Sequence, residues 1–91
     1  MEITKDLKGF FDNNGKLKVW PGKPDKKEAV IKWLAYKFEA GREYSEKEVN
    51  EIIQLNNSIG DHPLLRRELC DRGYLNRLPN GSKYRRSEKI L

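Results

Sequence analysis

Apolar residues recur along this chain with a period near 3.6 in three places, and residues that start and stop helices lie between them. In the first place, DKKEAVIKWLAYKF over 25–38, a wheel at about 100° per residue gathers Val30, Ile31, Leu34, Ala35 and Phe38 into one stripe. Trp33 flanks that stripe and Tyr36 lies opposite. Asp25 followed by Glu28 predicts a capping box, in which side chains satisfy the free amides of the first turn. The second place, SEKEVNEIIQLN over 45–56, sets Val49, Ile52 and Ile53 at i, i+3 and i+4 behind another capping pair, Ser45 and Glu48. The third, over 61–72, opens on Asp61 as N-cap, tolerates Pro63 in its first turn and stops at Gly73, a residue suited to the left-handed position after a helix. Leu65 and Leu69 form its apolar face.

The segments between carry a different pattern. Arg42-Glu43-Tyr44, after Gly41, predicts a very short strand. Tyr74–Leu78 and Ser82–Arg86 flank Pro79-Asn80-Gly81, and Asn-Gly between two strand-like runs is a strong hairpin signal. Ahead of the first helix, residues 3–11 predict a short helix that offers Leu7, Phe10 and Phe11 to a core. Asn13-Asn14-Gly15 marks a turn, Leu17–Trp20 an extended piece, and Pro21, Gly22 and Pro24 a break. The aromatics Phe10, Phe11 and Trp20 predict that residues 1–24 pack as an arm on a body over 25–86, with 87–91 a tail.

The order helix, short strand, helix, turn, helix, hairpin predicts an α+β fold, a winged helix-turn-helix domain over 1–91. Such modules place their second helix-turn-helix helix in the DNA major groove. Here that helix is 61–72, with the hairpin 74–86 as the wing. The expected core is Val30, Leu34, Phe38, Val49, Ile52, Ile53, Leu65, Leu69 and Leu75.

Composition narrows the function classes. Ninety-one residues suffice for one core and leave no room for separate cofactor and substrate domains. The single cysteine, Cys70, excludes an intramolecular disulfide. The chain is 36% hydrophobic and 36% charged, with a mean hydropathy of −0.91. It has no apolar run of the ~18 residues that a membrane span needs, and MEITKDLKGFF lacks the apolar stretch of a secretion signal. The expectation is a cytoplasmic, reduced protein with no membrane partner.

The net charge of +5 is unevenly spread, at +2 over 1–24, −1 over 25–60 and +4 over 61–91. The last third also holds six of the seven arginines, whose planar forks suit phosphate. On helix 61–72, Arg67 lies about 200° round the wheel from Leu65, pointing away from the core, with Arg66 and Cys70 on the flank. Arg67 is the candidate for a guanine edge, which arginine grips bidentately. The hairpin carries Arg77, Lys83, Arg85 and Arg86 with no acidic residue, a pattern that fits a phosphate backbone.

Other features point elsewhere. The arginines of 61–72 are matched by Asp61, Glu68 and Asp71, and the helix has no Asn, Gln, Ser or Thr to read bases. Leu64 faces outward, which suits a protein partner. His62 and Cys70 lie eight residues apart, about 12 Å along a helix, too far to form a nucleophile–base pair or share one metal. Phosphate-loop, nucleophile-elbow and calcium-loop spacings are absent. No enzyme, cofactor or metal site is expected.

The runs GREYSEKEVNEII, DHPLLRRELCDRGYLNR and PNGSKY resemble the bacterial domain of unknown function 2087, and the arm FFDNNGKLKVWPGKPDKK is similar to that family's N-terminal region. The most specific part is Asp61-His62 followed by Leu65-Arg66-Arg67, then Leu75-x-Arg77 and Gly81-x-x-Tyr84. The family occurs alone or attached to helix-turn-helix regulators, so the resemblance implies a regulatory role and supplies no catalytic motif. Arg85 departs from the family, which usually has a second aromatic after the tyrosine. That departure makes the wing more basic.

The leading expectation is a nucleic-acid-binding regulatory module for duplex DNA, using Arg66, Arg67, Arg77, Lys83, Arg85 and Arg86. The second is a winged helix that binds protein through Leu64 and Tyr36. A third is sequence-independent RNA binding through the wing.

Overall fold

The computed structural model describes residues 7–79 and 83–87. Three helices, α1 (Pro24–Ala35), α2 (Glu46–Asn56) and α3 (His62–Asp71), pack with three strands, β1 (Glu43–Ser45), β2 (Leu75–Arg77) and β3 (Lys83–Arg86). The strands form an antiparallel sheet in the order β1-β3-β2. Tyr84 lies opposite Tyr44 on one side and Arg77 on the other. The architecture is α+β, with three helices and a three-stranded antiparallel sheet. The expected turn at Asn80-Gly81 and the first residues of the expected 3–11 helix fall outside the described residues.

Local chemistry explains most of the boundaries. The side chain of Ser45 accepts from the Glu48 amide at 3.1 Å while Glu48 accepts from the Ser45 amide at 2.9 Å, the reciprocal box that starts α2. Asp61 accepts from the Leu64 amide at 3.2 Å to start α3. Gly73, just past that helix, takes φ +83°, a left-handed conformation that costs any residue with a Cβ. The expected box at Asp25–Glu28 does not form. Helix α1 begins one residue earlier, on Pro24, whose fixed φ and missing amide suit the first helical position. Glu28 is used instead by Tyr74 and Arg72.

Helix α1 also stops at Ala35, three residues before the expected end. The turn that follows carries Phe38 into the interior, where it meets Tyr44 edge-on with ring centroids 5.2 Å apart. Val30, Leu34, Phe38, Val49, Ile53, Leu65, Leu69 and Leu75 are buried as expected, whereas Ile52 is half-buried at the margin. Trp33, expected at the flank, is buried against Phe11 at a centroid distance of 4.6 Å.

That contact belongs to the N-terminal arm, which packs on the helices through Leu7, Phe11 and Leu17. Among the described residues of the arm, Lys8–Phe10 make a turn of 3₁₀ helix. The expected extended piece at Leu17–Trp20 is reduced to isolated bridges from Leu17 to Phe11 and Asn57. Leu17 donates to the Asn56 carbonyl at 2.9 Å and accepts from the Ser58 amide at 2.8 Å. Buried Asn57 accepts from the amides of Ile59 and Gly60, at 3.0 and 3.1 Å, and so shapes the turn between α2 and α3. The arm thus braces the turn that sets the angle of α3. Among the described residues, no helix is long and apolar enough to cross a membrane.

Candidate functional site

Helix α3 presents one row of side chains, Pro63, Arg66, Arg67 and Cys70, to a cleft of about 450 Å³. Glu46, the first residue of α2, and the sheet residues Arg77 and Tyr84 line the rest. Three of the arginines singled out in the sequence thus converge on one concavity. They come from α3 and β2, which the turn at Gly73 brings side by side.

These arginines differ in how they are held. Arg66 is half-buried and donates to Asn50 Oδ1 at 2.6 Å; because Asn50 is neutral, the pair fixes the guanidinium without cancelling its charge. Arg67 is exposed and has no hydrogen-bond or ion-pair partner among the described residues. Arg66 and Arg77 both lie close enough to Cys70 and Tyr84 to favour their ionised forms. Burial, followed by the charge of Asp71, nevertheless pushes the Cys70 thiol up, and burial, followed by Glu46, raises the Tyr84 hydroxyl. Cys70 is therefore held as a thiol, the weak nucleophile of its two forms.

The remaining candidates lie outside the cleft. Arg85 is exposed but pairs with Glu43 at 2.9 Å, which offsets its charge. Lys83 stands at the start of β3, half-buried; its carbonyl accepts from the Leu78 amide at 2.9 Å, and its charge lies close enough to Glu48 to lower that carboxyl. Arg86 is placed differently from the expected wing contact. It is 6% exposed, donates through Nη1 to the Phe38 carbonyl at 2.8 Å and lies 5.6 Å from the Tyr36 ring centre. The cause is the two-residue period of β3, which turns Tyr84 and Arg86 inward and Arg85 outward.

His62 stands against Gln54, with 3.3 Å between His62 Nδ1 and Gln54 Nε2. Among the described residues, no three His, Cys, Asp or Glu side chains gather as a metal site. Leu64 and Tyr36, expected at a protein-binding surface, are both half-buried; among the described residues, the large apolar side chains that are exposed are Leu55 and Val19.

Sequence reasoning missed Glu46 as part of the site. Its place on a polar helix face reads as solvated surface, and only the return of β3 beside the start of α2 brings Tyr84 to it. The Tyr84 hydroxyl donates to Glu46 Oε1 at 3.2 Å. The Ser45–Glu48 box offered the usable signal, because it fixes where α2 begins and so where Glu46 stands.

No curated protein and no solved structure matches this chain. A family model described as an uncharacterized protein conserved in bacteria matches residues 16–86, which take in α1, α2, α3, the whole sheet and every cleft residue. By that match the chain belongs to this bacterial family, DUF2087.

Proposed function

We propose that this chain is a winged helix-turn-helix module that binds duplex DNA and acts in regulation. The observation that carries the reading is Arg67. It is an exposed guanidinium without a partner among the described residues, on the outward row of α3, beside Arg66 and Arg77 in one cleft. The order of elements supports it: α2, a turn and α3 stand where a helix-turn-helix has its first and recognition helices, and β2 and β3 stand where the wing follows.

In this reading α3 enters the major groove and Arg67 reaches a guanine edge. Arg66, held in place by Asn50, and Arg77 take a backbone phosphate in the cleft. Lys83 adds a phosphate contact from the wing, while Arg85 contributes less because Glu43 offsets it. Arg86 and Arg72 serve the fold, the first buried, the second paired with Glu28 and Glu68.

A protein partner is the second reading, and exposed Leu55 favours it. Two charge-altering variants separate the readings. Under the DNA reading, Arg67→Glu abolishes duplex binding and Leu55→Asp leaves it intact. Loss of a protein complex with Leu55→Asp, in a chain that binds no duplex, supports the second reading.

A further inference from the structure

One group in the cleft is not explained by phosphate binding. Glu46 adds a carboxylate to the cleft that Arg66, Arg67 and Arg77 also line, where it repels any phosphate they attract. It is not needed as a cap, because Ser45 and Glu48 perform that task for α2. Its position is nevertheless fixed: the hydroxyl of Tyr84, a residue only 4% exposed, donates to Oε1, leaving Oε2 without a hydrogen-bond partner among the described residues. The lining of the cleft therefore includes both a held acceptor and a guanidinium with no partner among the described residues.

That combination selects among the surfaces of a duplex. Phosphate oxygens only accept, so a carboxylate gains nothing from them. In the major groove the donors are the exocyclic amines of cytosine and adenine, and a carboxylate accepts well from cytosine N4. Arginine grips guanine O6 and N7, which lie on the same edge of the same base pair. Adenine is usually read by Asn or Gln, and α3 has neither.

We infer that Glu46 and Arg67 together read one G·C pair, Arg67 donating to guanine O6 and N7 and Glu46 accepting from the cytosine N4 amine. The inference rests on the duplex-binding reading above and adds a base preference to it. Tyr84 is a positioning residue here, holding the carboxylate toward the groove.

The test is enrichment of binding duplexes from a randomised pool by the full chain and by Glu46→Ala. The enriched site is then titrated as intact duplex, as a duplex with the G·C pair replaced by A·T, and as one whose cytosine lacks its N4 amine. The intact chain is expected to lose roughly tenfold or more in affinity on either change. Glu46→Ala should treat the cytosine with and without its amine alike. A helix-end role for Glu46 does not produce that coupling to a single amine. Binding without base preference by the parent chain overturns the inference and leaves duplex binding standing. So does a Glu46→Ala variant that still distinguishes the two cytosines. Failure of the parent chain to bind any duplex overturns the duplex reading and this inference with it.

Discussion

Arg86 donates through Nη1 to the carbonyl of Phe38 at 2.8 Å, tying the end of β3 to the turn that follows α1. Phe38 is 1% exposed and Arg86 6%, and Arg86 Nε has no hydrogen-bond partner among the described residues. A buried hydrogen bond from a charged donor is worth about 1.5–3 kcal/mol, so Arg86→Ala should lower stability by an amount of that order. Urea unfolding measures it. The same variant should leave the salt dependence of DNA binding unchanged, since a buried guanidinium reaches no phosphate. A flattened salt dependence with unchanged stability would place Arg86 at the interface.

A second tie joins α1 to the residues after α3. Tyr74 donates to Glu28, and Arg72 bridges Glu28 at 2.7 Å and Glu68 at 2.8 Å. Burial and the Glu28 hydrogen bond push the Tyr74 hydroxyl up from its ordinary value of 10 to about 12. A group whose pKa rises on folding keeps its proton longer in the native state. Its stabilisation is therefore complete below pH 10 and is lost as pH rises toward 12. The Tyr74 hydrogen bond and then Arg72 lower the Glu28 carboxyl, and that stabilisation fades as pH falls through its depressed value. Tyr74→Phe should remove the alkaline loss specific to this group, as followed by thermal unfolding between pH 9 and about 12.

Leu69 is fully buried in the face of α3 that meets the core. Leu69→Ala should cost about 2–5 kcal/mol, the range for a buried leucine whose cavity does not collapse. That is a large share of the 5–15 kcal/mol typical of a domain. A cost below about 1 kcal/mol in urea would mean that α3 is not packed on the core through this residue.

What was legible in the sequence followed local rules. Ser45–Glu48, Asp61 and Gly73 marked helix ends because their side chains, or the lack of one, act within a single turn. Asp25–Glu28 had the same spacing and misled, because Pro24 set the start of α1 and a tyrosine 46 residues onward took the glutamate. Arg67 could be placed on the outward face by periodicity alone. Arg86 and Glu46 could not: the inward turn of Arg86 depends on the register of β3 against β1, and the role of Glu46 on Tyr84 crossing 38 residues to meet it. The arm's brace on the turn between α2 and α3 was hidden for the same reason, since the Leu17–Ser58 contact spans 41 residues.

The arginines should separate by salt response. Each phosphate contact contributes about 0.9 to the slope of log K against log salt. Arg77→Ala and Lys83→Ala should each flatten that slope by roughly this amount. Arg85→Ala should flatten it less, because Glu43 competes for the guanidinium. Arg67→Ala should instead weaken the preferred duplex by about 1–3 kcal/mol and relax preference at one base pair. Equal effects from all four variants would describe a general basic surface and contradict the division of roles.

Duplex binding by the arginine cleft and α3 can be measured by titrating mixed-sequence duplex with the full chain at about 50 mM salt and upward, where counterion release at the low end favours binding most. Measurable binding is expected at that salt, falling steadily as salt rises, and lost in Arg67→Glu. Absence of binding to any duplex at the lowest salt would contradict the duplex-binding reading.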